Sequence, residues 1–434
     1  MLVSWAFYCI FPEYRNDKNY HMSEFINNNQ ARVNSLYDFC FHLINGAKGT
    51  ELIKKHQAAI DQLTPNDIVL VVHRLVEAKL PMEDLKIGIN KALNVFHRQI
   101  HNHPKPDVDS THFLGIMMQE NAELDTRLKE IKPLAKRINT IKDEAKLADE
   151  LSFLKTKIEA LAEMDKHYRR KENIFFPYFE NQFPDYKCLG VMWSIHDDIR
   201  RVQKQLTAEL TSGFIDLRLI NRLLGDLFFF MYAIISREEY LLFPVALNAV
   251  SEELWEEMNA QSHEIGFSFI EAPKLVKKEK KQETNKREMA GDKLDMDQLG
   301  DAVLNFETGL MTLKQAMMLL NHLPVDITMI DENDRVCFFS NPKERFFSRS
   351  KAIIGRTVQN CHPPESVHVV DDLVKAFKSG EKGSESFWIQ MKGRFVLIQY
   401  FALRDEDNAY KGCIEVSQDV TDIRKLNGEK RLMD

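Results

Sequence analysis

Two stretches of the 434-residue chain carry nearly the same short text: KENIFFPYF, Lys171 to Phe179, and EEYLLFPVA, Glu238 to Ala246. Each places a glutamate, Glu172 or Glu239, five residues ahead of a proline, Pro177 or Pro244, near the end of a long helical pattern. Helices with matching text are readily related by a pseudo-two-fold axis, which would set these glutamates facing one another across a bundle core, as a di-metal site requires. A carboxylate near a helix C-terminus also opposes the helix dipole, so both acids want a cation.

Histidines stand around these acids. His112 opens the first long helical stretch, His167 lies five residues before Glu172, and His196 sits in MWSIHDDIRR. Carboxylates bridge hard cations while imidazoles fix the remaining positions, leaving one open for a small ligand. A five-residue step is about 1.4 helical turns. His167 and Glu172 therefore share a face only if the helix widens locally or the carboxylate reaches round.

Four stretches have helical periodicity, Phe113 to Arg137, Ile141 to Asn181, Met192 to Thr211 and Leu217 to Ala249, with a shorter one after Ser251. Their lengths suit an up-and-down four-helix bundle over residues 110–272. Residues 34–102 read as a smaller all-α unit of about four short helices, with Thr64 and Pro65 as N-cap and first-turn pair. Residues 1–33 read as disordered or an extension, and 273–298, almost wholly polar and charged, as a linker. An amphipathic helical segment is expected over Met296 to Leu323. Beyond it the period changes to two: VDITMI and RVCFF flank Asp331 to Asp334, and SFWIQM, RFVLIQYFAL and KGCIEVSQDV follow, an α+β domain over 299–425.

A net charge of -7 argues against a phosphate-backbone binder, so no nucleic-acid partner is expected. The six cysteines are far apart with no CxxC pair, which suits a reducing cytoplasm. MLVSWAFYCIFPEYR at the N-terminus lacks a basic region, its apolar run is short, and no other stretch is expected to span a bilayer, so no membrane partner is expected. Phe175-Phe176, Phe228 to Phe230 and Met117-Met118 read as bundle core. Glu238, Asp197 and Asp198 read as supporting or surface acids, and His97 as structural or surface. His101 and His103 would approach the site only if the Pro-rich segment after them folds over the bundle end. Cys361-His362-Pro363-Pro364 reads as a packed loop, and Trp388, Tyr400 and Phe401 as sheet core.

HYRRKENIFFPYFE, VMWSIHDDIRR and EEYLLFPVAL resemble the second, third and fourth helix motifs of the bacterial hemerythrin-like (HHE cation-binding) proteins. Residues 35–100 resemble the small domain of unknown function, the domain-of-unknown-function 438 family, that often precedes that bundle. FETGLMTLKQAMMLLNHLPVDITMIDENDRVCFFS and DVTDIRKLNGEKRLMD resemble a PAS module. The resemblance implies non-haem iron, as two ions, held by His112, His167, Glu172, His196 and Glu239. In this chain Ile234 and Ile235 stand where the family's fourth helix carries a histidine, and Gly115 where its first helix carries a second one. The site is thereby left open between mononuclear, asymmetric and lost.

The implied function is a non-enzymatic cytoplasmic sensor of dioxygen, nitric oxide or redox state. It would signal through the PAS domain as a homodimer or to a protein partner. The rival is a redox enzyme or iron donor that protects or repairs iron proteins.

Overall fold

Four helices form the N-terminal unit: Asn19–Ile44, Gly49–Asp61, Pro65–Glu77 and Met82–His101. Thr64 caps the third as its sequence requires. Its hydroxyl accepts from the Asp67 N–H while its own N–H donates to Asp67 Oδ2 at 2.8 Å. Arg32 on the first helix clamps the same carboxylate with two hydrogen bonds, at 2.7 and 3.0 Å. The first and fourth helices meet closely at Gly88, where an added Cβ would lie 2.0 Å from Ile44 Cγ1. The first helix begins at Asn19, so residues 19–33 are helical where an extension or disorder is expected.

This computed structural model describes residues 19–182, 188–212, 215–273 and 302–429 apart from 307, 344, 348 and 392, with side chains from residue 29 to 180 in the first stretch. The chain divides into two units, with the boundary in the chain between Pro273 and Lys274. Most of the expected 273–298 linker lies outside the described residues.

The first unit also contains the bundle. Its first helix is Phe113–Arg137 and its third Leu189–Glu209. The second runs over residues 144–182 and the fourth over Leu217–Ala249, and each is interrupted by one π-helical turn, Lys171–Phe175 and Glu238–Leu242. The two prolines account for both. Neither Pro177 nor Pro244 has an N–H to donate to the carbonyl four residues back, so the ladder is rearranged in the turn before it and the helix widens. A shorter helix, Glu252–Ile265, closes the unit.

Leu124, Leu128, Leu154, Ile158, Leu206 and Leu227 are fully buried between the four long helices. Phe175, Phe176 and Met117 are core as expected, but Phe229 is 47% exposed. The fourth helix is, by length and composition, apolar enough to cross a bilayer, which corrects the expectation that no stretch would be. Its apolar side, Ile220, Leu224, Leu227, Met231 and Ile234, is buried in the bundle core.

The second unit is a five-stranded antiparallel sheet. Its strands are β3 (Asp326–Asp331), β4 (Val336–Phe339), β5 (Ser384–Met391), β6 (Arg394–Arg404) and β7 (Tyr410–Asp419), in the order β4-β3-β7-β6-β5. A helical entry over 296–323 is only partly realised: β1 (Val303–Asn305) and β2 (Leu310–Thr312) form a hairpin before the helix Leu313–His322. Gly309 disfavours a helix across 303–312, and Val303 and Leu310 are exposed, so no apolar face there is packed on a core. Trp388 and Phe401 are not core, at 65% and 40% exposed. Ile330, Val374, Phe377, Tyr400, Cys361 and His362 line a cavity of about 250 Å³ within this unit.

The capping box makes a graded prediction. Thr64→Ala should cost about 1 kcal/mol. Asp67→Ala should cost more, because it also leaves the part-buried Arg32 without its carboxylate. Urea denaturation of both variants, followed by far-UV circular dichroism, checks the order.

Candidate metal centre

Acids and amides on an apolar stripe are costly unless partnered. The first bundle helix buries Met117, Glu120, Asn121, Leu124 and Leu128, a series at helical spacing in which Glu120 and Asn121 are 0% and 1% exposed. The fourth buries Leu227, Met231, Ile234 and Glu238 on the same spacing. Glu120 and Glu238 therefore point into the interior, where the second and third helices supply His167, Arg170, Lys171, Glu172 and His196, all buried.

His167 links the two inner acids. Its Nδ1 is 2.8 Å from Glu120 Oε2 and its Nε2 is 3.1 Å from Glu238 Oε2. Arg170 donates to Glu120 and Lys171 to Glu238. Asn121 adds a hydrogen bond to Glu238 at 2.8 Å, and the Ser268 N–H one to Glu120 at 2.6 Å. Burial pushes both acids up, but at Glu120 the His167 and Arg170 contacts outweigh it. At Glu238 the Lys171 and His167 charges hold the carboxyl far below the usual range. Both acids are ionised in the interior.

The second group is His196 and Glu172. His196 Nδ1 lies 2.8 Å from Glu172 Oε1, and Arg200 grips both oxygens of Glu172, at 2.9 and 3.0 Å. The His196 ring stacks on Tyr168 with centroids 4.5 Å apart. Burial, and then the Lys171 and Arg200 charges, hold His196 well below its ordinary range. It is a neutral ring whose Nδ1–H is given to Glu172. Its Nε2 then carries a lone pair, is buried, and has no hydrogen-bond partner among the described residues. A carboxylate holding one ring nitrogen so that the other is free is how metal-ligating histidines are oriented.

The residues expected as ligands separate. His167, Glu172 and His196 come together in the interior. His112 instead caps the first helix, its Nδ1 accepting from the Leu114 N–H at 3.1 Å, with its ring 5.2 Å from Trp255. Glu239 is buried too, but it faces Lys105 of the Pro-rich segment, a lysine whose side chain is 47% exposed. The π turn directs Glu238, not Glu239, towards His167 and Lys171. Gly115 fits no larger residue, since a Cβ there would lie 2.1 Å from the Asp109 carbonyl oxygen. Glu120 and Glu238 were not among the expected ligands, although each continues an apolar stripe, which is the signal for both.

The donors fit a cation in kind: three carboxylates, two imidazoles, and one buried lone pair without a partner. Their placement is self-neutralised. Arg170, Lys171 and Arg200 contact Glu120, Glu238 and Glu172 respectively. No three of the five donor residues have ligand atoms within 4.8 Å of one another. A cation entering here must take a carboxylate from a side chain that already holds it.

Residues 112–246 match the family model of the hemerythrin HHE cation binding domain, and residues 317–421 match that of a PAS domain. The chain thus carries a hemerythrin-type domain followed by a PAS domain. No curated protein matches it. Among solved structures, a C-terminal domain from Streptococcus mutans is 28% identical, covering 30% of this chain and 99% of that one, with a TM-score of 0.29. A PAS domain from Colwellia psychrerythraea is 20% identical over 25% of this chain and 98% of that one (TM-score 0.21). The PAS domain of Bordetella pertussis BvgS is 19% identical over 26% and 92% (TM-score 0.22).

Glu238→Gln should lose about 3 to 5 kcal/mol, because Lys171 is left buried without its counter-charge. Glu239→Gln should lose less, because its partner Lys105 is half-exposed and can turn to water. Urea titration of the two variants side by side measures the difference.

Proposed function

We propose that this chain is a metal-binding sensory protein in which the hemerythrin-type bundle takes up non-haem iron, as two ions, and the PAS domain relays its state. The observation that carries the reading is His196: a buried neutral imidazole, oriented by Glu172, with an unpartnered Nε2. His196, His167, Glu120 and Glu238 would hold the metal, and Glu172 would position His196. Bound iron supplies a redox-active centre able to bind dioxygen or nitric oxide.

The chain's own residues set the conditions. Lys171 neutralises Glu238 until a cation replaces it, and Arg170 does the same for Glu120. Phe175, Phe176 and Phe179, all fully buried, keep the interior dry and restrict access to small molecules. The role is sensory rather than enzymatic, exerted in the cytoplasm through a PAS-mediated homodimer or a protein partner.

Metal analysis with an optical spectrum of the protein purified without oxygen, before and after exposure to air, tests the reading. Iron should be present in the unmodified chain and lost in His196→Ala and Glu238→Ala. Lys171→Met should raise occupancy, since it removes the competing cation while keeping the side-chain volume. Hydrogen exchange within residues 317–421 should change when the iron is oxidised. The matched charges favour a second reading, a structural ion-pair core that takes no metal. Absence of iron from both the unmodified chain and Lys171→Met would establish it.

A further inference from the structure

A cavity of about 580 Å³ opens where the helix Met82–His101 of the N-terminal unit lies beside the first and fourth bundle helices. It has the size of a small-molecule site. Its charge is unlike that of the bundle interior. Arg237, Lys132, His97 and His101 line it, with Phe228, Phe229 and Tyr232 as aromatic wall, and no aspartate or glutamate is among its lining residues.

Arg237 is the informative member. It is 7% exposed, and its guanidinium donates to the side-chain oxygen of Asn90. Among the described residues it forms no ion pair with a carboxylate. Each of the other buried cations of this unit has one: Lys86 with Asp198, Arg170 with Glu120, and Lys171 with Glu238. A guanidinium is charged across the physiological range. Buried charges are kept where something pairs with them. The Tyr232 hydroxyl, also on the cavity wall, is buried with no hydrogen-bond partner among the described residues, and Lys132 Nζ lies 4.4 Å from the centre of the same ring. Half-exposed Phe229 offers a flat apolar surface on that wall.

We propose that this cavity binds a small organic anion, its phosphate or carboxylate head on Arg237 and Lys132 and its planar apolar body against Phe228, Phe229 and Tyr232. The forked guanidinium suits either head group. The site stands apart from the metal reading and is independent of it, although Arg237 directly precedes Glu238 in the chain.

The test uses the full chain with phenyl phosphate, benzoate, inorganic phosphate and neutral phenol, read by calorimetric titration and thermal unfolding. Phenyl phosphate or benzoate should bind and raise the melting temperature, and the stronger of the two identifies the head group. Phenol should do neither, and inorganic phosphate should bind more weakly than phenyl phosphate. Arg237→Met and Lys132→Met should each weaken binding at least about ten-fold. Without ligand, Arg237→Met should melt no lower than the unmodified chain, because it removes an unmatched buried charge. Should that variant fail to fold, Lys132→Met and Tyr232→Phe carry the comparison. Binding of neither aromatic anion below about 1 mM, or binding untouched in the variants, would overturn the proposal.

Discussion

Lys171 and Glu238 meet where neither side chain reaches water, and the rest of the bundle interior is arranged around that contact. Taking an ammonium and a carboxylate out of water costs several kcal/mol per ion, which their attraction offsets only if their remaining valences are also filled. Those of Glu238 are filled here. Asn121 and His167 complete Glu238, and His167 extends the network to Glu120, which Arg170 and the Ser268 N–H close. The first, second and fourth helices are thus fixed in register by polar contacts as well as by leucines, and the segment after the last helix is pinned through Ser268, whose hydroxyl accepts from the His167 N–H at 3.0 Å.

A similar logic joins the N-terminal unit to the bundle. Lys86 of its last helix reaches Asp198 of the third bundle helix at 2.6 Å, both side chains being nearly fully buried. Arg201 takes the other oxygen of Asp198 at 2.5 Å. The two helical parts share one continuous apolar core, from Leu36 and Phe39 through Phe113 to Leu227. The Pro-rich segment between them does fold over the bundle end: Lys105 reaches Glu239, and the His101 ring lies 4.1 Å from that of Tyr240.

The helices were legible because their apolar spacing is long and regular. The ends of Phe113–Arg137 and Leu217–Ala249 fall where periodicity puts them. The repeat of KENIFFPYF in EEYLLFPVA marks the two π turns, one in each copy. The positions six residues before each proline hold Lys171 and Glu238, and these face each other in the core. Of the positions five before, Glu172 is buried against His196 and Arg200, and Glu239 is buried against Lys105. Spacing from a proline does not reveal which residue a π turn carries inward, whereas an acid continuing an apolar stripe does. Arg237 was missed for the same reason: it reads as one basic residue on a helix, and only the packing shows that no carboxylate comes to meet it.

The widened turns also bear on how such a sequence can change. An extra residue in a helix displaces the direction of everything beyond it by about 100°. Phe243 and Ala246, both wholly enclosed, owe their inward direction to the residue gained in the turn before them. Removing a single residue there would swing them out of the interior and turn Pro244 and Leu247 in. Viable descendants of this chain should therefore keep the length of that turn while its letters vary, so that the count of residues, more than their identity, is what inheritance must preserve at this place.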